Sequence, residues 1–173
     1  MRSPSAGARS EAGAAGARSE TVQPDPASRE EPVVLYFAYG SNLSRAQMEA
    51  RCPGARPVAR AYIPDHRLGF AGRAPAWDGG GGATIVLAPG ERCWGALYEV
   101  EPACLETLAR HEGRDYTLSR THVLREDGTR VHAYLFVRAR GFDERAPSDR
   151  YVEVIRRGYR EWGLDESALD RAV

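Results

Sequence analysis

The stretch that most limits what this chain can fold into is Val33-Val34-Leu35-Tyr36-Phe37-Ala38-Tyr39-Gly40-Ser41-Asn42-Leu43. Bulky branched and aromatic side chains run straight into a small polar triplet. Such a run predicts a buried strand covered on both faces. Gly40-Ser41-Asn42 ends it, and Ser44-Arg45-Ala46-Gln47 follows with capping-box spacing, a hydroxyl at a helix start and a Gln three residues on. The predicted unit is strand, tight loop, helix, with the helix over 45–51. The loop offers backbone N–H groups, a hydroxyl and a carboxamide at the end of a core strand, beside a helix N-terminus, which suits an anionic group. An ordinary turn has the same composition, and the local pattern alone leaves both readings open.

The chain has 173 residues, 42% apolar and 28% charged, a balance expected of a soluble domain with a real core. Basic and acidic residues cancel at 24 each, which argues against a nucleic-acid binder relying on overall positive charge. Every cation is Arg, so no lysine is present for a Schiff base or a phosphate loop. Cys52, Cys93 and Cys104 form no C-x-x-C pair and suggest neither a disulfide framework nor a zinc site; a reducing, cytoplasmic location is expected. No run approaches the ~20 apolar residues that span a membrane, and the first residues lack the apolar core of a signal peptide.

Residues 1–31 are Ala, Gly, Ser, Pro, Arg and Glu with almost no bulky apolar side chain, and are expected to be a disordered tail. The folded domain is expected over 32–173. Strands are predicted over 57–63 and 67–71, separated by Pro64-Asp65. Residues 72–82, with Pro75, Trp77 and four consecutive glycines, predict no regular element. They read equally as a plain hairpin loop or as a mobile loop covering a site with Trp77. Strands follow over 83–88 and 92–100, separated by Pro89-Gly90, with Gly95 marking a bulge or a close backbone approach. Pro102 opens a helix that ends at Glu112, and Gly113 suits a left-handed cap. Strands over 116–125 and 130–138 flank an Asp127-Gly128 turn. Pro147-Ser148-Asp149 starts a long helix with a Tyr151, Ile155, Tyr159, Trp162 stripe that Gly163 stops, and Asp165 caps a short final helix. About seven strands joined mostly by hairpins, with two or three helices, predict an α+β fold: a small mixed, mainly antiparallel β-barrel or strongly curved sheet with flanking helices.

Glu112 is the candidate for proton-transfer chemistry. The negative end of a helix dipole disfavours a second negative charge there, and partial burial would push the same way. Both raise a carboxyl pKa toward neutrality, where a proton shuttle works best. An exposed Glu at a helix end has the same sequence pattern. His111 is read as a surface or structural residue, because sequence neighbours usually point apart.

Phe37-Ala38-Tyr39-Gly40-Ser41-Asn42-Leu43 resembles the signature loop of the γ-glutamyl cyclotransferase family. In that family a helix ends in a Glu-Gly pair carrying the catalytic glutamate, here Glu112-Gly113. Gly81-Gly82-Ala83-Thr84-Ile85, Pro89-Gly90 with Trp94-Gly95, Tyr116, Ala133-Tyr134-Leu135, and Pro147-Ser148 with Tyr151 resemble further family segments in order and spacing, over roughly 33–164. The resemblance implies the family fold and a small γ-glutamyl amide substrate. Intramolecular attack of the α-amine on the γ-carbonyl would release 5-oxoproline and a free amine, with Glu112 as general base and then acid. It implies no cofactor and no metal, no nucleic-acid or membrane partner, and admits a homodimer, since animal members are dimers. Tyr39, Gly40, Ser41, Asn42 and Leu43 would hold the glutamyl group, with Ser41 and Asn42 either bonding it or fixing the loop. Tyr116, Tyr134 and Tyr151 are further pocket candidates. Arg110-His111 departs from the more acidic, amide-rich residues of the animal enzymes, on the side that sets the leaving amine. Two alternatives follow: the same chemistry on a γ-glutamyl amine or a γ-glutamyl-protected biosynthetic intermediate, and a non-catalytic small-ligand module on this scaffold.

Overall fold

The computed structural model describes residues 32–139 and 143–173. The tail expected over 1–31 lies outside them. Five strands form a closed barrel: β1 (Val34–Ala38), β2 (Arg56–Ala71), β3 (Gly82–Val100), β4 (Tyr116–Arg125) and β5 (Arg130–Arg138), in the order β1-β3-β2-β4-β5. Neighbours run antiparallel except at the seam, where Tyr36 of β1 meets Tyr134 of β5 in parallel. The helices are α1 (Arg45–Arg51), α2 (Pro102–Glu112), α3 (Asp149–Trp162) and α4 (Glu166–Asp170). The barrel and flanking helices agree with the predicted class.

The strand count does not agree. Pro64-Asp65 and Pro89-Gly90, read above as strand breaks, sit inside two long strands. They lie opposite one another in the β2–β3 ribbon, where pairing passes from Pro64↔Arg92 to His66↔Leu87. Asp65 adopts a positive φ of 57°, and its carboxylate accepts from the Gly90 N–H at 2.9 Å. Two breakers facing each other therefore make a shared bulge, which bends the ribbon without ending it. That bend lets the C-terminal end of β3 pair with β1 while the segments on both sides of the bulge pair with β2. Gly95 is the close approach expected: a Cβ there would run into Phe37 and the Ala38 carbonyl.

Alternation along the strands fills the interior with Phe37, Leu97, Val123, Ala133 and Leu135, all buried. Leu108 of α2 and Ile155 and Tyr159 of α3 join the same core. The predicted α3 stripe, Tyr151, Ile155, Tyr159 and Trp162, is buried throughout, and Ser148 caps the helix by accepting from the Tyr151 N–H. The capping box at α1 does not form. Ser44 is its N-cap residue without a side-chain bond, because Gln47 turns toward Asn42 instead. Cys52, just past α1, and Cys104, in the first turn of α2, form a disulfide with a Cα–Cα distance of 5.5 Å. The cysteine spacing did not suggest this pairing; packing α1 beside α2 creates it. Cys93 is free and buried. Among the described residues no helix is long and apolar enough to cross a membrane.

Candidate active site

The loop after β1 forms one tight turn, Ser41–Leu43, closed by Leu43 N–H to the Gly40 carbonyl at 3.0 Å. The turn drives Asn42 inward until only 3% of its surface is exposed. There its carboxamide is fully used. Nδ2 donates to the Tyr36 hydroxyl at 2.9 Å and to Glu112 Oε1 at 3.1 Å. Oδ1 accepts from Gln47 Nε2 at 3.1 Å and Arg51 at 2.8 Å. Two donors and two lone pairs make four bonds, the full capacity of an amide side chain. Asn42 therefore ties the loop to Glu112, with no side-chain donor or acceptor left over in this arrangement.

Glu112 is the last residue of α2. Gly113 after it adopts φ 80° and ψ −176°, a conformation essentially closed to residues with a Cβ, in place of the left-handed cap expected. This lets the chain leave the helix at once and start β4. Burial raises the Glu112 carboxyl pKa from its ordinary value; the Arg51 cation and the Asn42 bond work against that rise. Arg51 lies 3.8 Å from Glu112 Oε1.

Around the carboxyl, a recess of about 20 Å³, room for roughly one water, is lined by Tyr36, Tyr39, Gly40, Ser41, Asn42, Ala83, Glu112, Tyr116, Phe136 and Tyr151. It adjoins a wider cavity of about 370 Å³ that shares Glu112, Tyr116 and Tyr151. The hydroxyls are anchored to the backbone. Tyr39 donates to the Phe136 carbonyl at 2.5 Å and Tyr116 to the Ala83 carbonyl at 2.7 Å, while Tyr151 accepts from the Ala83 N–H at 3.3 Å. Burial pushes all of these phenols up, Tyr116 to about 12, and Tyr39 and Tyr151 well above their usual value. They remain neutral at physiological pH. The stretch 72–82, expected to hold no regular element, carries one 3-10 turn, Pro75–Trp77, opened by Pro75, and its last residue, Gly82, already belongs to β3. Trp77 lines the wider cavity and stacks on Tyr151 with ring centroids 4.5 Å apart.

The structure thus gathers Glu112, Tyr39, Gly40, Ser41, Asn42, Tyr116 and Tyr151 around one recess. Leu43 and Tyr134 fall outside it. Leu43 is fully buried; its N–H closes the turn, and its carbonyl accepts from Trp162 Nε1 at 3.0 Å and the Tyr98 hydroxyl at 3.3 Å. Tyr134 lines neither space and carries the Arg120 guanidinium 5.7 Å from its ring centre. Sequence reasoning missed Tyr36, Gln47 and Arg51. Gln47 and Arg51 are four apart on α1, directly after the loop, so they share a helix face; that spacing was a readable signal. His111 does line the wider cavity, whereas Arg110 turns to Thr107 at 2.8 Å. No cluster of His, Cys, Asp and Glu suited to a metal ion occurs among the described residues.

Residues 36–158 match the family model described as gamma-glutamyl cyclotransferase, AIG2-like. The human protein named gamma-glutamylcyclotransferase is 30% identical over 148 residues, covering 81% of this chain and 77% of the relative. The mouse protein of the same name is 30% identical over 154 residues, covering 84% and 80%. A solved structure titled gamma-glutamyl cyclotransferase superposes with a TM-score of 0.74 at 27% identity, covering 82% of this chain and 86% of the other. The chain belongs to the gamma-glutamyl cyclotransferase, AIG2-like family of enzymes.

Proposed function

We propose that this enzyme cyclises a γ-glutamyl amide to 5-oxoproline, with Glu112 carrying the proton in both directions. The observation that supports this best is the Glu112 carboxyl itself: partly buried, raised in pKa, held by Asn42, and set where a narrow recess meets a wider cavity. The substrate brings both reacting groups, so proximity is largely built in. The enzyme has to hold the folded conformer and relay protons from the attacking nitrogen to the departing one. Glu112 takes the first from the α-ammonium group. The freed nitrogen attacks the γ-carbonyl carbon, a five-membered lactam closes, and the amide C–N bond breaks. Glu112 gives the first proton to the departing nitrogen, and the ring nitrogen, which became positively charged on attack, sheds its second proton by way of the regenerated carboxylate to the released amine, which leaves as an ammonium ion beside neutral 5-oxoproline. No cofactor is needed for this balance. The N–H groups of Gly40, Ser41 and Asn42 are the loop donors offered to the substrate's carboxylate; that of Leu43 is taken by the turn. A place in the turnover of glutathione-type γ-glutamyl compounds, and a cytoplasmic site of action, belong to the same proposal.

The test is product identification. Purified enzyme with γ-glutamyl-alanine should release 5-oxoproline and alanine in equal amounts. Free glutamate with alanine would mean hydrolysis and would overturn the reading. No product from this substrate, glutathione or a γ-glutamyl alkylamine, with the folded state verified, would favour a binding role.

A further inference from the structure

The wider cavity beyond Glu112 has a charge that the chemistry above does not use. Proton return places the leaving nitrogen at Glu112, so the amine part of the substrate projects into this space. Among the described residues its walls carry Arg51, Arg73, Arg114 and Arg138 against two acids, Glu112 and Asp115. Arg51 is committed to Asn42 and Glu112. Among the described residues Arg73 and Arg114 make no ion pair, and both are exposed at the mouth. Arg138 is different in kind. Its side chain is 4% exposed, and among the described residues its one ion pair is with Asp115 at 3.1 Å, itself 61% exposed. Its Nε has no partner among the described residues. It occupies space left by Gly72 and Gly82, where a Cβ would run into the guanidinium, and lies 5.3 Å from the Tyr116 ring centre. A buried guanidinium with an unused donor and a solvent-facing counter-ion is under-compensated. The Nε itself is closed off, so a ligand carboxylate would add its charge beside Asp115, at the terminal nitrogen that Asp115 already meets.

On the γ-glutamyl cyclisation reading, on which this inference rests, we infer that the leaving-amine subsite selects amines bearing two or more carboxylates, with Arg138, Arg73 and Arg114 as its specificity residues. A single α-carboxylate satisfies one guanidinium. A dicarboxylic leaving amino acid, as in γ-glutamyl-glutamate, supplies a second anion to a wall that carries two positive charges in excess. Arg114 follows Glu112-Gly113 directly, and Arg73 precedes the Trp77 turn. The selecting charges therefore sit on the two segments that frame the mouth.

The test compares γ-glutamyl-glutamate with γ-glutamyl-glutamine, whose leaving groups have nearly the same shape and differ by one charge. The expected kcat/KM ratio favours the acidic substrate by about tenfold or more, the range of one charge-assisted hydrogen bond. Raising the salt concentration should shrink the ratio. In the double variant Arg73→Gln, Arg114→Gln, at exposed positions where the fold tolerates change, the ratio should fall to about threefold or less. 5-Oxoproline from both substrates at a ratio near one, or a ratio unmoved by salt and by the double variant, overturns this inference while leaving the cyclisation reading intact. No 5-oxoproline from either substrate while γ-glutamyl-alanine is still cyclised also overturns this inference, and none from all three overturns the reading beneath it.

Discussion

Asn42→Ala is the most informative perturbation of the positioning network. The substitution strands four groups at once: the Tyr36 hydroxyl, the Gln47 amide, the Arg51 guanidinium and the Glu112 carboxyl. Neutral hydrogen bonds contribute about 1 kcal/mol each, and those to charged groups about 1.5–3 kcal/mol. Glu112 and Arg51 sit at a cavity wall, with side chains 19% and 16% exposed, and recover part of the loss from water. The net cost is set at about 3 kcal/mol, a large share of the 5–15 kcal/mol that holds a domain together. The same bond from Asn42 holds the Glu112 carboxyl down against burial, so its removal should move that group further up. A base works only when deprotonated, so the acid limb of the kcat/KM profile should shift to higher pH. Asn42→Asp should shift it further, because it sets a second carboxylate against Glu112. The assays are urea unfolding and 5-oxoproline release against pH. An Asn42→Ala protein with the wild-type urea midpoint and an unmoved acid limb would refute the positioning role.

Other predictions follow from the same geometry. Folding raises the Glu112 pKa, so its favourable contribution is present below the ordinary carboxylate pKa and is lost as pH rises through the raised value. Glu112→Gln, which cannot ionise, should then be as stable as wild type or more so at pH 7, with any advantage vanishing in acid; a thermal scan at both pH values checks the sign. Cys52 and Cys104 are 52 residues apart, and chain entropy puts the crosslink at about 4 kcal/mol. Thiol reductant, or Cys52→Ser, should lower the urea midpoint accordingly, and an unchanged midpoint would contradict the crosslink. Trp77→Ala removes the ring stacked on Tyr151 and should raise KM about tenfold, as an aromatic contact and its buried area imply, with little change in kcat.

Much of this site could be read from the sequence because its parts are local. A strand that ends in Gly-Ser-Asn, and a helix that ends in Glu-Gly, each announce themselves over a few residues. What brings them together does not. The Asn42–Glu112 bond spans 70 positions, and its existence depends on how α1 and α2 pack. The same packing hid the Cys52–Cys104 pair. Pro64-Asp65 and Pro89-Gly90 misled for a related reason. Each is a breaker in isolation, and only their cross-strand register turns the two into one bulge. Gln47 was expected to cap α1 and was drawn into the site instead, a tertiary bond overriding a local one. Tyr134 shares the predicted segment with pocket residues yet lines neither cavity, because lining depends on barrel curvature and not on motif membership.

The most direct test of the central claim is the rate of 5-oxoproline release by Glu112→Gln beside wild type, on γ-glutamyl-alanine, with both proteins shown to be folded. The substitution keeps the shape and an acceptor for Asn42 and removes the charge and the ability to carry a proton. A positioned general base contributes about 10²–10⁴-fold, so the variant should lose at least about two orders of magnitude in kcat. A folded Glu112→Gln enzyme turning over at the wild-type rate would remove Glu112 from the chemistry.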